Sequence, residues 1–366
     1  MNFHAKVLIF KKSNLLLILI CILSFIAFYL LVNNTYYDQD SYSIGADSST
    51  YYRIAQQYDY GSLRLLTIKQ NLIGPLIVLY MLQSNTYLVY FVNLLMFVIA
   101  YACIINNFTL DRIKLIVLIA INPMIFISII LVNKEMFGLF SMAMLACYLE
   151  SKKTIFLIFS FPFAIMTRWQ EVLVMVVYFV LVSGLNPLRR NRTLTLIVMI
   201  VLISLVYPLF LSSIFGDIVY NETLERQLST TFGIIQILNE LQDKFLFIVA
   251  LLPKMLSNLF GNVFRIKDYI WSPDLIDTYD IYNSFIVLGH QFAMLTVISL
   301  LFIKKKISMH SDLIYFSSIY LILFSISIMV QYRYIFPIYI LLCIELAKKR
   351  LPIQSGRFQS IHGMAK

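Results

Sequence analysis

Long apolar runs alternate with short clusters of basic residues along almost the whole chain, and this alternation limits the fold more than any other feature. The clusters stand at six places: Lys11–Lys12, Arg112/Lys114, Lys152–Lys153, Arg189–Arg190/Arg192, Lys304–Lys306 and Lys348–Arg350. In polytopic membrane proteins, Lys and Arg concentrate in the cytoplasmic loops. The pattern therefore predicts an all-α integral membrane protein whose basic loops face the cytoplasm.

The charge balance agrees with this interpretation. The chain is 60% hydrophobic and only 13% charged, and the charged share is about half of that in soluble domains. With the loops assigned to two sides, the inner side holds 18 Lys and Arg against 4 Asp and Glu, and the outer side holds 11 against 15. The net charge of +10 thus follows from topology, and nucleic acid is not expected as a partner.

Ten apolar runs have the character of membrane spans. They cover residues 14–32, 86–105, 113–132, 136–149, 154–166, 172–185, 194–214, 286–303, 313–331 and 334–346. Several are shorter than the roughly 20 residues of an ideal transmembrane helix, so we expect their ends to extend into flanking polar residues. Ten crossings that begin inside place every basic cluster and both termini in the cytoplasm.

Two further apolar runs, Leu72–Leu82 and Phe245–Leu252, are predicted not to cross. A glycine–proline pair breaks the first run and a proline follows the second. If only one of them crossed, the later loops would reverse sides and the basic clusters there would lie outside. We therefore expect interfacial or re-entrant helices in two larger outer loops, 33–85 and 215–285.

The chain is predicted to be a single membrane-embedded helical domain over residues 1–350, with a disordered cytoplasmic tail over 351–366. The first apolar run follows two lysines, as in a signal peptide. No cleavage site of small residues follows it, so we expect a retained anchor.

The first outer loop contains a pattern typical of a short amphipathic helix. Asp47 and Ser48 come just before apolar residues at helical spacing, namely Tyr51, Ile54, Ala55 and Tyr58. Asp and Ser are preferred at helix N-caps, so a helix is predicted to begin near Ser48. Asp47 then either caps this helix only, or caps it and also faces a functional cleft.

The spacing Asp47-x-x-x-Tyr51-x-x-Ile54-Ala55 resembles the first outer loop of GT-C-type glycosyltransferases, which take sugars from polyprenyl-phosphate carriers. The resemblance is to the branch with protein mannosyltransferases and lipid A aminoarabinose transferases. Further similar motifs follow in the family's order: Gly74-Pro75-Leu76, Asn133-Lys134-Glu135, Thr167-Arg168-Trp169-Gln170 and Gln331-Tyr332-Arg333-Tyr334-x-x-Pro337. Ser48 departs from the family, which usually has an acid there. The length and the large late outer loop are closer to O-antigen and capsule polymerases.

The resemblance implies a glycosyltransferase of the bacterial inner membrane that joins lipid-linked saccharides on the outer face. Its partners would be a polyprenyl-linked donor and acceptor, membrane lipid and other polysaccharide-assembly proteins. The transfer needs a carboxylate near the attacking hydroxyl and cations near the leaving phosphate. We expect Asp47 and Glu135 as catalytic carboxylates. The expected phosphate ligands are Arg53, Arg168, Arg265 and Arg333, and the expected saccharide contacts are Tyr51, Gln170 and Tyr332.

A bound metal is only weakly indicated. Asp38-Gln39-Asp40 is a DxD motif, which in some transferases holds Mg²⁺ or Mn²⁺. One such match arises easily by chance among 12 aspartates. The four histidines are scattered, so no zinc site is expected.

Other interpretations remain open. Each outer arginine could instead extend to lipid head groups, and the outer aromatic residues could form a membrane belt. A flippase or transporter of lipid-linked saccharide is the main rival, and a non-catalytic assembly subunit is a third. Ion-coupled transporters usually carry ionisable groups inside the membrane, whereas the predicted spans contain few such groups, among them Glu345 one turn from the cytoplasmic end.

Reporter fusions test the predicted topology. Fusions at Ser151, Asn191 and Ser308 should report the cytoplasm, while fusions at Tyr60 and Asp277 should report the outside, because basic loops stay inside. External signals at the first three positions would contradict the ten-span assignment.

Overall fold

The computed structural model describes residues 12–32, 46–57, 72–211, 233–261, 278–327 and 332–349, and these residues are almost entirely helical. No β-sheet forms among them, although one isolated antiparallel bridge joins Leu110 to Lys348. The all-α prediction is therefore confirmed for the part of the chain described. The predicted tail, 351–366, lies outside the described residues.

Fifteen α-helices follow one another along these described ranges. They are α1 Lys12–Val32, α2 Ala46–Gln57, α3 Ile73–Met81, α4 Thr86–Asn107, α5 Arg112–Ala120, α6 Pro123–Ile130, α7 Lys134–Ser151, α8 Thr154–Thr167, α9 Trp169–Val182, α10 Arg192–Val206, α11 Gly233–Asp243, α12 Phe247–Phe260, α13 Thr278–Ile303, α14 Asp312–Phe324 and α15 Ile338–Ala347. A π-helical turn, Tyr207–Leu211, extends α10, and a 3-10 turn, Tyr332–Tyr334, precedes α15.

Four described helices are long and apolar enough to cross a membrane. They are Lys12–Leu30, Thr86–Asn107, Arg192–Leu209 and Phe285–Ile303. A membrane protein with several spans is thus supported, but the ten predicted spans are not confirmed. Leucines, isoleucines and phenylalanines on these helices are exposed, as expected where a helix contacts lipid.

Five further apolar helices are shorter than a transmembrane helix needs to be. Helices α8, α9, α12, α14 and α15 contain 10 to 14 residues. They are therefore about 15–21 Å long, against about 30 Å for the bilayer core. The expected extension into flanking polar residues occurs at the start of α9, which contains Gln170 and Glu171, but not in α8. Lys153 and Arg168 both have extended backbone and limit α8 to Thr154–Thr167.

Residues 113–132, predicted to form one span, form two helices instead. Helices α5 and α6 meet at an angle of 76°. Pro123 begins α6, and the side chain of Asn122 accepts a hydrogen bond from the Met124 amide at 3.1 Å. Since proline cannot donate within a helix and Asn122 caps the new one, the chain turns here. The Asn122 amide also lies 3.0 Å from Nδ1 of His290 on α13.

Helices α7 and α8 form an antiparallel hairpin through the interior. Lys152 ends α7 in the left-handed conformation. Midway along the hairpin, Ser141 and Ser160 each donate to the other's backbone carbonyl, at 2.8 and 2.9 Å. This register places the start of α7 beside the end of α8, at the end of the hairpin away from Lys152.

Basic clusters far apart in sequence meet at the Lys152 end. Lys152 lies 3.6 Å from Asp312, and Arg192 lies 2.6 Å from the same carboxylate. Lys348 lies 3.1 Å from Glu150. The bundle therefore has one basic end, which the sidedness of the sequence pattern anticipates.

The C-terminal end of α15 is bound at this basic end by lysines from other helices. The Lys114 ammonium donates to the Leu346 carbonyl at 2.6 Å. The Lys306 ammonium donates to the carbonyls of Glu345 and Leu346, at 3.2 and 3.0 Å. Cations at a helix C-terminus satisfy its free carbonyls and oppose its dipole.

Helix α2 packs on α3, near the opposite end of the hairpin. It begins at Ala46, slightly before the predicted start, so Asp47 lies inside its first turn. Tyr51 and Ala55 are buried, which confirms the predicted apolar face. Leu72–Leu82 forms the nine-residue α3, which at about 14 Å is too short to cross alone.

Gly74 fixes the contact between α3 and α8. A Cβ atom on Gly74 would lie 2.1 Å from the carbonyl oxygen of Met166. Backbone cannot yield as a flexible side chain does, so only glycine fits. This contact holds α3, and α2 with it, at the Arg168 end of α8.

Replacing Gly74 by alanine should separate these helices. We expect G74A to destabilise the protein by about 1–3 kcal/mol, because overpacking forces the backbone to shift. Thermal unfolding in detergent measures the loss. G184A is the matched control, since its Cβ would lie 3.5 Å from the nearest atom, on the Arg189 side chain. Equal unfolding temperatures for the two variants would contradict the close contact.

Candidate functional site

A buried ionic cluster lies at the end of the bundle opposite the basic end. It contains Glu135 in the first turn of α7, Arg168 between α8 and α9, and Glu171 in the first turn of α9. Arg168 has extended backbone (φ −163°, ψ 136°) and ends one helix while preceding the next. The hairpin register therefore brings Glu135 to Arg168 across 33 positions of sequence.

The Arg168 guanidinium is surrounded by acceptors. Its Nη2 lies 3.4 Å from Oε1 of Glu135, and its Nη1 lies 3.9 Å from Oε1 of Glu171. Nη1 also donates to the Arg333 carbonyl at 3.4 Å. The guanidinium carbon stands 4.5 Å from the centre of the Tyr334 ring, a cation–π distance. Arg168 thus links α7 and α9 to the turn before α15.

Tyr320 of α14 closes the cluster from another side. Its hydroxyl oxygen lies 2.7 Å from the Tyr334 carbonyl and 3.4 Å from Oε1 of Glu171. Gly138 leaves room nearby, because a Cβ atom there would lie 3.0 Å from the side chains of both Thr167 and Pro337. Four helices and one turn therefore meet around a single arginine.

The cluster is almost fully removed from solvent. The side chains of Glu135 and Glu171 are 0% exposed and that of Arg168 is 2% exposed. Within the described residues, Oε2 of each glutamate and Nε of Arg168 have no hydrogen-bond partner. Two carboxyl groups thus share one guanidinium, with hydrogen-bonding capacity left over.

The Glu171 carboxyl group lies outside the candidate spans and has a shifted pKa. Burial raises this pKa to about 8, because an ionised carboxylate loses its hydration. Arg168 and the Tyr320 hydroxyl oppose this effect, whereas the neighbouring Glu135 adds to it. Removal from water is the largest cause.

The structure brings some of the predicted site residues together. Glu135 and Arg168 are in contact, and Arg333 joins them through its backbone carbonyl. Arg333 itself is half-buried. Gln170 follows Arg168 in α9 and is half-buried, with an Oε1 that has no partner among the described residues.

Helix α2 carries the other predicted residues that the structure describes. Tyr51 is buried against the core, and its contact with a saccharide stays a prediction. Arg53 is exposed on the same helix. Asp47 belongs to the first turn, but its side chain lies outside the described residues, as do the Tyr332 side chain and the whole of Arg265, Asp38 and Asp40.

Two members of the cluster were missed from the sequence. Glu171 follows Arg168 by three positions, the spacing at which helical side chains meet, and this signal could have identified it. Tyr320 lies 149 positions from Glu171, and no local pattern indicates the contact. Arg168, predicted as a direct phosphate ligand, is buried among protein acceptors, so this role stays a prediction.

The structure also buries a lysine outside this cluster. Lys254 on α12 is 0% exposed, and its ammonium donates to Oε1 of Gln242 and, at 3.3 Å, to the Ser327 carbonyl. Gln242 in turn donates to the Ile326 carbonyl at 2.8 Å. The residues after α14 are thus bound to the α11–α12 pair by a neutral amide and a lysine.

No family model, curated protein or solved structure matches this chain. Among the described residues, no group of three His, Cys, Asp or Glu side chains is arranged to hold a metal ion. The arrangement can bind a proton or a charged group through the free oxygens of Glu135 and Glu171. It can also couple α7, α9, α14 and the turn Tyr332–Tyr334 to any such binding.

Removing the Arg168 guanidinium should destabilise the bundle more than removing a surface cation does. We expect R168M to cost about 3–5 kcal/mol, because two buried carboxyl groups lose the guanidinium that they share. K152M, at a side chain that is 65% exposed, should cost less than about 1 kcal/mol. Chemical unfolding in mixed micelles measures the free energy of unfolding of both variants. Similar values would show that the buried ion pair contributes little to stability.

Proposed function

We propose that this protein is a glycosyltransferase that uses polyprenyl-linked saccharides, with O-antigen or capsule polymerisation as its reaction. One observation supports the proposal above all others. The segments that resemble the family's outer-face motifs, spread over nearly 300 positions, converge at the end of the bundle away from the basic clusters. Convergence of this kind is what a shared reaction centre requires.

The contact at Gly74 links the first outer loop to the buried ionic cluster. Helix α2, with Asp47 and Arg53, packs on α3, and Gly74 of α3 lies against the Met166 backbone. Met166 stands two residues before Arg168, whose guanidinium meets Glu135 and the Arg333 carbonyl. All five resembling segments therefore lie on one continuous set of contacts.

We assign the roles as follows. Asp47 accepts the proton of the attacking hydroxyl, because a carboxylate within about 3 Å can act as a general base. Arg53, which is exposed, binds the leaving phosphate, for which its planar fork is suited. Glu135 and Arg168 hold the surrounding helix ends in position. Arg265, Arg333, Gln170 and Tyr332 remain predicted ligands.

The proposed orientation places the basic end of the bundle in the cytoplasm and the Arg168 end outside. Both termini are then cytoplasmic if the chain crosses ten times. In that case the polar residues that flank the short helices α8, α9, α14 and α15 must also lie within the bilayer, or the bilayer must be locally thinner. The membrane would be a bacterial inner membrane.

Replacing Asp47 tests the enzymatic proposal. D47N should be made normally and form almost no polymer, because an amide cannot act as a base near neutral pH. The control is D111N, whose native carboxylate only caps α5 by accepting from the Lys114 amide at 3.1 Å. Asparagine caps equally well, so D111N should form normal polymer.

Glycan profiling of cells that lack the protein distinguishes between the candidate reactions. Single capped repeats without polymer support a polymerase, and loss of one side-branch sugar indicates a monosaccharide transferase. Normal polymer from D47N would contradict the catalytic role of Asp47.

A second candidate is a carrier of lipid-linked saccharide. The sequence argued against it because the spans held almost no ionisable groups. Ionisable side chains are nevertheless buried among the described helices, including Glu135, Arg168, Glu171, Lys254 and His290, and α5 and α6 are separated by a sharp break. Buried charges and broken helices are typical of transporters. Accumulation of inner-leaflet carrier in cells lacking the protein would favour this candidate.

A further inference from the structure

The hydroxyl group of Tyr320 has one hydrogen and two oxygen atoms within reach. The Tyr334 carbonyl, at 2.7 Å, can only accept, so the hydroxyl hydrogen is committed to it. The same hydroxyl can donate only weakly to Oε1 of Glu171, because that oxygen lies farther away, at 3.4 Å. A hydrogen carried by Glu171 would complete this second contact.

Glu171 lies farther from the guanidinium than Glu135 does. Oε1 of Glu171 lies 3.9 Å from Nη1 of Arg168 and 3.4 Å from the Tyr320 hydroxyl. Its Oε2 has no partner among the described residues. The guanidinium lies closer to Glu135, at 3.4 Å.

Charge balance leads to the same assignment. One guanidinium neutralises one carboxylate, and Lys134 has a smaller effect on Glu171 than Arg168 has, so a second ionised carboxylate in this enclosed space is poorly compensated. Arg168 therefore pairs with Glu135, and the remaining negative charge needs a cation. A proton requires no further space and supplies the missing hydrogen.

We propose that Glu171 is a proton-binding site, at which the neutral carboxyl group donates a hydrogen bond to the Tyr320 oxygen. The inference does not depend on the enzymatic proposal. Binding of the proton leaves Glu135 and Arg168 as a neutral pair, and its loss leaves two carboxylates against one guanidinium. Helices α7, α9 and α14 and the turn Tyr332–Tyr334 all contact this site.

Charged and titratable groups face Glu171 from each neighbouring element. Arg168 precedes it on the same chain segment, Glu135 and Lys134 come from α7, and Tyr320 comes from α14. Burial has the largest effect and raises the Glu171 pKa to about 8, above its value in an unfolded chain. The neutral acid thus stabilises the fold fully at pH below about 4.3, the ordinary glutamate value. This stabilisation is lost as the pH rises through 8.

Two amide variants of the full-length protein test the site. E171Q keeps a donor for the Tyr320 oxygen and no longer titrates, so its unfolding temperature should match wild type at pH 5. Between pH 5 and 9, wild type should lose stability relative to E171Q. E135Q takes the counterion from Arg168, so it should unfold at a clearly lower temperature than wild type at pH 5.

Infrared spectroscopy detects the proton directly. Purified wild-type protein at pH 6 should show a carboxylic-acid C=O band that is absent from E171Q and present in E150Q, a control at a side chain that is 42% exposed. Loss of the Glu171 band with a stable E171Q protein supports the proposal. An E171Q variant as unstable as E135Q, or an unchanged band, would show that Glu171 is ionised and would overturn it.

Discussion

The ion pair between Arg168 and Glu135 is the interaction on which this end of the molecule depends. Arg168 is the only residue between α8 and α9, and its extended backbone directs the side chain into the bundle rather than along a helix. A guanidinium buried to 2% exposure cannot remain without acceptors. Glu135, the Arg333 carbonyl and the Tyr334 ring supply them, and their helices are positioned accordingly.

The two ends of the bundle differ in how their charged side chains are compensated. Exposed and half-exposed lysines pair with acids and carbonyl groups at one end, where solvent reduces the cost of each charge. At the other end, a few charges are enclosed and must balance one another. The first end tolerates substitution because its contacts are numerous and individually weak. At the second end, replacing one charged side chain leaves another without compensation.

Residue patterns predicted the helical membrane class, the grouping of basic residues and the buried face of α2 with Tyr51 and Ala55. They predicted one span over residues 113–132, because hydropathy does not register that Asn122 caps a new helix and the chain turns there. They placed Glu135 and Arg168 in one site but missed Tyr320. That contact depends on packing between α9 and α14, which sequence spacing alone does not encode.

The binding of α15 at the basic end has a consequence for how the protein is made. The Leu346 carbonyl is held by Lys114, which the ribosome incorporates 232 residues earlier. Until α15 emerges, the ammonium groups of Lys114 and Lys306 have none of these carbonyl acceptors. These contacts therefore form only after α15, the last described helix, is synthesised. Earlier folding intermediates lack them.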